Sequence, residues 1–131
     1  MKAKLDHKLA VLWAADCAEH VLSCFEKEYP KDDRPRKAIE AGRAWAHGKL
    51  TVGKARAAAL AAHAAARDAN HSVARAAARA AGHAAGTAHV LGHAPHAANY
   101  AITATGANES EWQYRHLPKC LRPIIKKTTK K

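Results

Sequence analysis

The sequence predicts an all-α fold, a compact and alanine-rich bundle of five to six helices in a single domain. About a quarter of the 131 residues are alanine, which is the strongest helix former and lets neighbouring helices approach closely. Aromatic residues make up only 5%, and no run of β-branched residues favours a strand. A chain of this length can bury one modest core, so one domain is expected.

Capping residues and helix breakers place the first three helices. The first is expected from an N-cap at Asp6 to about Tyr29, where Pro30 stops it. Pro35 suits the first position of a second helix that ends at Gly48. Thr51 is expected to cap a third helix that reaches about residue 68.

The second half of the chain predicts shorter helices. A fourth follows the break at residues 70–72 and runs to about Leu91 or His93, because Gly92 and Pro95 end or kink it. A fifth is expected over residues 95–105, and Asn108 with a glutamate three residues later begins a last short helix. Pro118 and Pro123 then indicate irregular structure. The predicted helical domain therefore covers residues 1–117, and residues 118–131 form a basic tail.

The formal charge of +11 is concentrated at the C-terminal end. Six cations lie in the last thirteen residues: Lys119, Arg122, Lys126, Lys127, Lys130 and Lys131. We expect a solvated tail whose contacts with nucleic acid are limited to non-specific attraction. No apolar run is long enough to span a membrane, and no signal peptide is apparent. Three cysteines without close pairing indicate reduced thiols and a cytoplasmic protein.

On a helical wheel, the first helix turns polar residues toward its apolar face. That face holds Leu5, Leu9, Leu12, Trp13, Cys17 and Cys24. Asp16 and His20 fall in its middle, one turn apart, and Glu19 lies at its margin. An inward carboxylate and imidazole need partners, because an unpaired buried charge is costly.

Candidate partners come from the turn before the second helix and from the third helix. Arg34 and Arg36 flank that turn. The third helix places three polar side chains on one stripe with its large apolar residues Val52 and Leu60, namely Arg56, His63 and Arg67. We therefore predict an inward polar network. Two interpretations stay open: a satisfied polar core that fixes helix register, or a small pocket for an anion, a metal or a partner side chain.

The second and fourth helices look amphipathic. In the second, the side opposite the apolar face carries Arg36, Glu40, Arg43 and His47. In the fourth, His83 lies at the margin of the polar side, and on that side Gly82 and Gly86 open a shallow groove where a backbone or a ligand can approach closely.

Few residues of the sequence point to metal binding or catalysis. His89 and His93 have the one-turn spacing of two imidazoles that share a metal, but Pro95 turns His96 away as a third ligand. Cys17 near His20 lacks an oxyanion hole, and the sequence contains no glycine-rich phosphate loop. We expect no cofactor and no catalytic activity, and we hold a metal at His89 and His93 as the lesser hypothesis.

Several segments resemble a known family. They are residues 12–22 (LWAADCAEHVL), 33–39 (DRPRKAI), 61–67 (AAHAAAR), 82–90 (GHAAGTAHV) and 111–114 (EWQY) with Leu117 and Pro118. Over residues 5–123 the chain is similar to the small bacterial immunity proteins of polymorphic-toxin systems, the immunity-five-like family. This resemblance implies neutralisation of a cognate toxin, and it carries over no catalytic residues.

The leading hypothesis is therefore a cytoplasmic binding protein that neutralises a toxin or another protein partner through a helical surface. Its positive charge favours a partner with an acidic surface. The alternative is a small metal- or ligand-binding domain, or an enzyme, that uses the inward Asp, His and Arg network. The sequence leaves the oligomeric state open.

Overall fold

A computed structural model describes residues 2–125 and confirms the all-α prediction. The helices are α1 (Lys2–His20), α2 (Ser23–Glu26), α3 (Arg34–Ala46), α4 (Val52–Asp68), α5 (Ser72–Gly86), α6 (His93–Thr105) and α7 (Glu109–His116). A 3₁₀ turn, Lys119–Leu121, follows. The described residues thus form seven α-helices, where the sequence predicted five to six.

Local signals place three helices correctly. Pro35 lies in the first turn of α3. The Thr51 hydroxyl oxygen accepts the backbone N–H of Lys54 at 3.2 Å and so caps α4. Gly106, with φ of +113°, ends α6 in a backbone conformation that other residues rarely adopt.

The predicted bounds of the first and fourth helices are wrong. Helix α1 begins at Lys2, so Asp6 lies inside it and is buried rather than acting as an N-cap. The helix ends at His20. The backbone N–H groups of Val21 and Leu22 donate to carbonyl oxygens three residues earlier rather than four, as in a 3₁₀ turn, before α2 begins. Helix α5 ends at Gly86 and not near residue 91, because the chain turns over residues 87–92.

Helix α5 lies at the centre of the bundle and packs against α1, α2, α3, α4 and α6. Ten of its fifteen residues are buried, and all ten are alanine or glycine. Little side chain separates the axes, so the core is built from close helix approach rather than from large apolar groups.

Alanine also determines which faces are buried, and this overturns two sequence-based assignments. Helix α4 buries five alanines, while Val52 and Leu60 are exposed at 43% and 59%. In α1, Leu5 is likewise exposed at 57%. The helical wheels assigned the buried face from the large apolar residues. In the structure the helices pack closely, so the buried faces are those with small residues.

The start of the predicted tail packs on the bundle. Leu121 and Ile125 are buried with the core, and the Arg122 guanidinium lies 4.5 Å from the centre of the Tyr114 ring. A domain boundary after Leu117 stays a prediction, and the last four lysines lie outside the described residues. Across residues 2–125, each helix is too short or too polar to cross a bilayer.

Candidate functional sites

The first polar cluster joins α1 to α3. Arg43 of α3 donates to Asp16 at 2.7 Å and to both carboxylate oxygens of Glu19, at 2.9 and 3.0 Å. This hydrogen bonding lowers the pKa of Glu19 from its ordinary value. Asp16 and Glu19 are about half exposed, so the pair is a surface cluster and not a buried one.

The second cluster joins α1 to α7. His20 Nδ1 lies 2.5 Å from a carboxylate oxygen of Glu109, whose side chain is 8% exposed. The His20 ring stacks on Trp112 with centroids 3.8 Å apart, and His116 stacks on Trp112 at 4.1 Å. These rings line a pocket of about 420 Å³ together with Asp16 and Glu19.

The predicted inward network therefore needs correction. Asp16 and His20 do have protein partners, but both residues are exposed, because α1 buries its alanine-rich side instead. The expected arginines are the wrong ones. Arg34 pairs with Asp32 and Asp68, and Arg36 pairs with Glu26, because both lie at the α2 end of α3.

His63 is not part of that network either. Its Nδ1 accepts a hydrogen bond from Arg79 at 2.9 Å, and its ring meets the His83 ring edge-on at 4.9 Å. His83 is in turn in ring contact with His93, His96 and Tyr100, at 5.1, 5.3 and 5.3 Å between centroids. We call His63, His83, His93, His96 and Tyr100 the histidine cluster.

Two glycines make room for this cluster. A Cβ on Gly82 would stand 2.6–2.9 Å from three atoms of the His63 ring, and one on Gly86 would stand 3.3 Å from the His93 ring. A backbone or a ligand was predicted to approach these glycines; the groups that lie against them in the structure are imidazole side chains of the chain itself.

The cluster favours neutral imidazoles. Burial, with the positive charge of Arg79 next in importance, lowers the pKa of His63 from 6.5 to about 4. Burial and the neighbouring histidines lower the pKa of His83 to about 3. Burial also lowers the pKa of His93. His83 Nδ1 and His93 Nδ1 lie 2.9 Å apart, so one of the two carries the proton that they share.

A groove of about 300 Å³ opens above the cluster between α4, α5 and the following turn. Its lining residues are Arg56, Ala59, Leu60, His63, Gly82, Gly86, His89, Val90 and His93. Arg56 and His89 are exposed on it, while His63 and His93 are half-buried. Arg67 is exposed further along α4 and is not among the lining residues.

The helix bounds separate the two proposed metal ligands. Because α5 ends at Gly86, His89 lies in a turn and His93 begins α6, so they do not share one helical face. His96 lies in ring contact with His83, and its exclusion as a third ligand beside His89 and His93 stays a prediction. Within residues 2–125, no three His, Cys, Asp or Glu side chains are arranged to hold a metal ion.

None of the three thiols lines either the pocket or the groove. Cys17 is buried, and burial, followed by the charges of Asp16 and Glu109, raises its pKa well above the ordinary value. A protonated, inaccessible thiol is a poor nucleophile.

Several site residues were not predicted from the sequence. The helical wheel places Arg43 on the outer side of its helix, Arg79 is expected on the polar side of its helix rather than beside His63, and no pattern marks Glu109 or Tyr100. The His20–Glu109 contact spans 89 positions in the chain, so helix periodicity gives no signal for it. For Trp112 and His116, the i,i+4 spacing on one helix was an available signal.

Comparison with known proteins gives one family. No curated protein and no solved structure matches the chain at a significant level. The Imm-5 like putative immunity protein family matches residues 2–120, nearly the whole chain. The chain therefore belongs to the Imm-5 like immunity protein family.

Proposed function

We propose that this protein is a cytoplasmic immunity protein that neutralises a toxin by binding it, without catalysis. The proposed contact surface is the groove between α4 and α5. The partner presents an acidic, partly apolar segment to this groove. Membership of the immunity family supports a protein partner.

The observation that carries the choice of surface is the exposure of large apolar side chains at the groove. Leu60 and Val90 are 59% and 47% exposed, in a chain whose core is mostly alanine. Exposed apolar groups bordered by polar ones are typical of docking surfaces. Covering these two side chains would remove apolar area from water and so favour binding.

The charge at the groove supports an acidic partner. None of the nine described lining residues is acidic, whereas Arg56 is cationic and His63, His89 and His93 are imidazoles. A carboxylate that enters the groove can accept hydrogen bonds from Arg56 and from imidazole N–H groups. Complementary charge mainly raises the association rate and the specificity.

The test is calorimetric titration of the full chain with an inactivated toxin domain encoded by a neighbouring gene. Leu60→Glu introduces a negative charge on the groove and removes apolar contact, so we expect at least about a tenfold loss of affinity, the size of one lost interface contact. Because Leu60 is exposed, the variant should keep the free energy of unfolding of the wild type.

Ala57→Glu is the matched control, since it makes the same charge change at an exposed position of α4 that does not line the groove. It should bind like the wild type. Equal affinity of all three proteins would contradict the groove as the docking surface, and absence of binding by the wild type would contradict the proposed function.

A further inference from the structure

We propose that the pocket between α1 and α7 is a second recognition site, and that it binds the guanidinium group of an arginine side chain on a protein partner. We call it the α1–α7 pocket. It is lined by Asp16, Glu19, His20, Trp112 and His116 and has a volume of about 420 Å³, enough for the end of one side chain. It is separate from the groove and has the opposite charge preference.

Most hydrogen-bonding groups of this pocket can accept, and the indole N–H of Trp112 is the one group that only donates among the described side chains that line it. His116 Nδ1 lies 2.7 Å from the backbone oxygen of Trp112, which can only accept, so Nδ1 carries a proton and Nε2 is the acceptor of the neutral ring. His20 Nδ1 faces the Glu109 carboxylate in the same way, which leaves the lone pair of its neutral form on Nε2. Asp16 and Glu19 add carboxylate oxygens.

A lining made mostly of acceptors, with two carboxylates among them, is complementary to a cationic guest that only donates. Guanidinium carries five N–H donors and no acceptor, and its planar shape allows several bonds at once. An ammonium group has only three N–H donors, and all three are on one nitrogen. The chain already shows that this carboxylate pair holds a guanidinium, because Arg43 bridges Asp16 and Glu19 from the α3 side.

Charge and shape leave room for a second cation. Two carboxylates share one Arg43, so the pair keeps a net negative charge while half of each side chain stays exposed. Both imidazoles stack on Trp112, so the flat surfaces offered to a guanidinium are the outer faces of the exposed His20 and His116 rings. On a chain of net charge +11, this pocket is a local exception that favours a cationic group at one position.

The test is an NMR titration of the full chain with N-acetyl-arginine methylamide, followed through the Trp112 indole and the His20 and His116 rings. We expect shifts at these groups, and at least about tenfold weaker binding of the citrulline analogue, which has the same shape but no charge. The lysine analogue should bind more weakly than arginine. Equal binding of citrulline or lysine, or shifts centred elsewhere, would overturn the proposal.

Variants of pocket residues distinguish binding at the α1–α7 pocket from general electrostatic attraction to the chain. Asp16→Asn and His116→Ala should each weaken arginine binding severalfold, while Glu40→Gln, an equal loss of charge at an exposed position of α3 outside the pocket, should not. Circular dichroism confirms that each variant is folded. If both pocket variants bind arginine like the wild type, the site is wrong. Because the probe is a small compound, this outcome is independent of the groove and of any toxin.

Discussion

At the scale of single residues, the two glycines of α5 explain how imidazoles come to lie against a packed helix. A helix interior normally disfavours glycine, by about 1 kcal/mol relative to alanine. Here the missing Cβ at Gly82 gives the His63 ring its place beside Arg79. Gly82 therefore lowers the stability of the helix but allows the His63 ring to lie at the base of the groove.

Gly82→Ala should lower the free energy of unfolding. The added Cβ would stand within 3 Å of the His63 ring, and crowding of this kind costs about 1–3 kcal/mol, more than the helix gains. In a His63→Ala background the same change should stabilise, since the obstructing ring is gone. Urea unfolding of the four proteins measures this cycle. Equal effects of Gly82→Ala in both backgrounds would show that the contact does not matter.

The histidine cluster predicts loss of stability in mild acid. In the unfolded chain these imidazoles take up protons as the pH falls through about 6.5. In the fold, burial and the charges of Arg79 and the other cluster histidines hold the pKa of His63 at about 4 and that of His83 at about 3. The unfolded state therefore binds more protons in this window, and the folded state loses stability as the pH drops from about 6.5 toward about 4.

Urea unfolding at a series of pH values between about 7.5 and about 4 tests this sign. His83→Gln should show a flatter dependence of the unfolding free energy on pH than the wild type. His47→Gln, at an exposed position outside the cluster, is the control. An unchanged slope in His83→Gln would contradict the assignment of the effect to the cluster.

At the scale of helices, local signals predicted some bounds and not others. Thr51 and Gly106 mark real helix ends because a cap or a positive φ acts on its own neighbours. Gly92 and Pro95 did not mark the end of α5, which stops six residues before Gly92, at Gly86. The choice of buried face was predicted less well, because it depends on how closely alanine faces can approach their neighbours.

Besides the contacts of His20 with Glu109 and Trp112, a buried hydrogen bond that the sequence does not reveal joins α1 to α7. The Trp13 indole N–H donates to the backbone oxygen of Gln113 at 2.8 Å, and the Gln113 side chain donates to the backbone oxygen of Ala98. Trp13→Phe keeps most of the apolar packing and removes the donor. We expect a loss of about 1–3 kcal/mol, the cost of a buried acceptor without its partner.

Hydrogen exchange tests where the effect of Trp13→Phe lies. Amides of α7 should exchange faster in this variant, while those of α4 should change little. Trp45→Phe serves as the control, because this partly buried tryptophan of α3 packs against a separate apolar cluster of Val11, Ala46, Ala55 and Ala88. Unchanged exchange in α7 would contradict its anchoring through Trp13.

At the scale of the whole molecule, the fold brings together side chains that are far apart in the sequence. Helix content and family resemblance could be predicted because they are carried by local composition and by contiguous segments. The two sites could be predicted only in part. The sequence singles out Asp16, Glu19, His20, His63 and His83, but their role in a site stays a prediction. Their partners are 10 to 89 residues away and depend on how α1, α3, α4, α5, α6 and α7 pack.

Net charge makes a further prediction for the proposed toxin complex. Raising the salt concentration from about 50 mM to about 500 mM shortens the screening length and should lower the affinity, mainly by slowing association. Stopped-flow or surface plasmon resonance kinetics measure both rate constants. Salt-independent association would mean that charge does not guide the encounter.

Hydrogen–deuterium exchange of the full chain, with and without the inactivated toxin domain of the neighbouring gene, tests whether the groove between α4 and α5 contacts the partner. If it does, protection should increase in α4 (Val52–Asp68) and in the turn that carries His89 and Val90. Binding that leaves both segments unprotected and slows exchange elsewhere would contradict it.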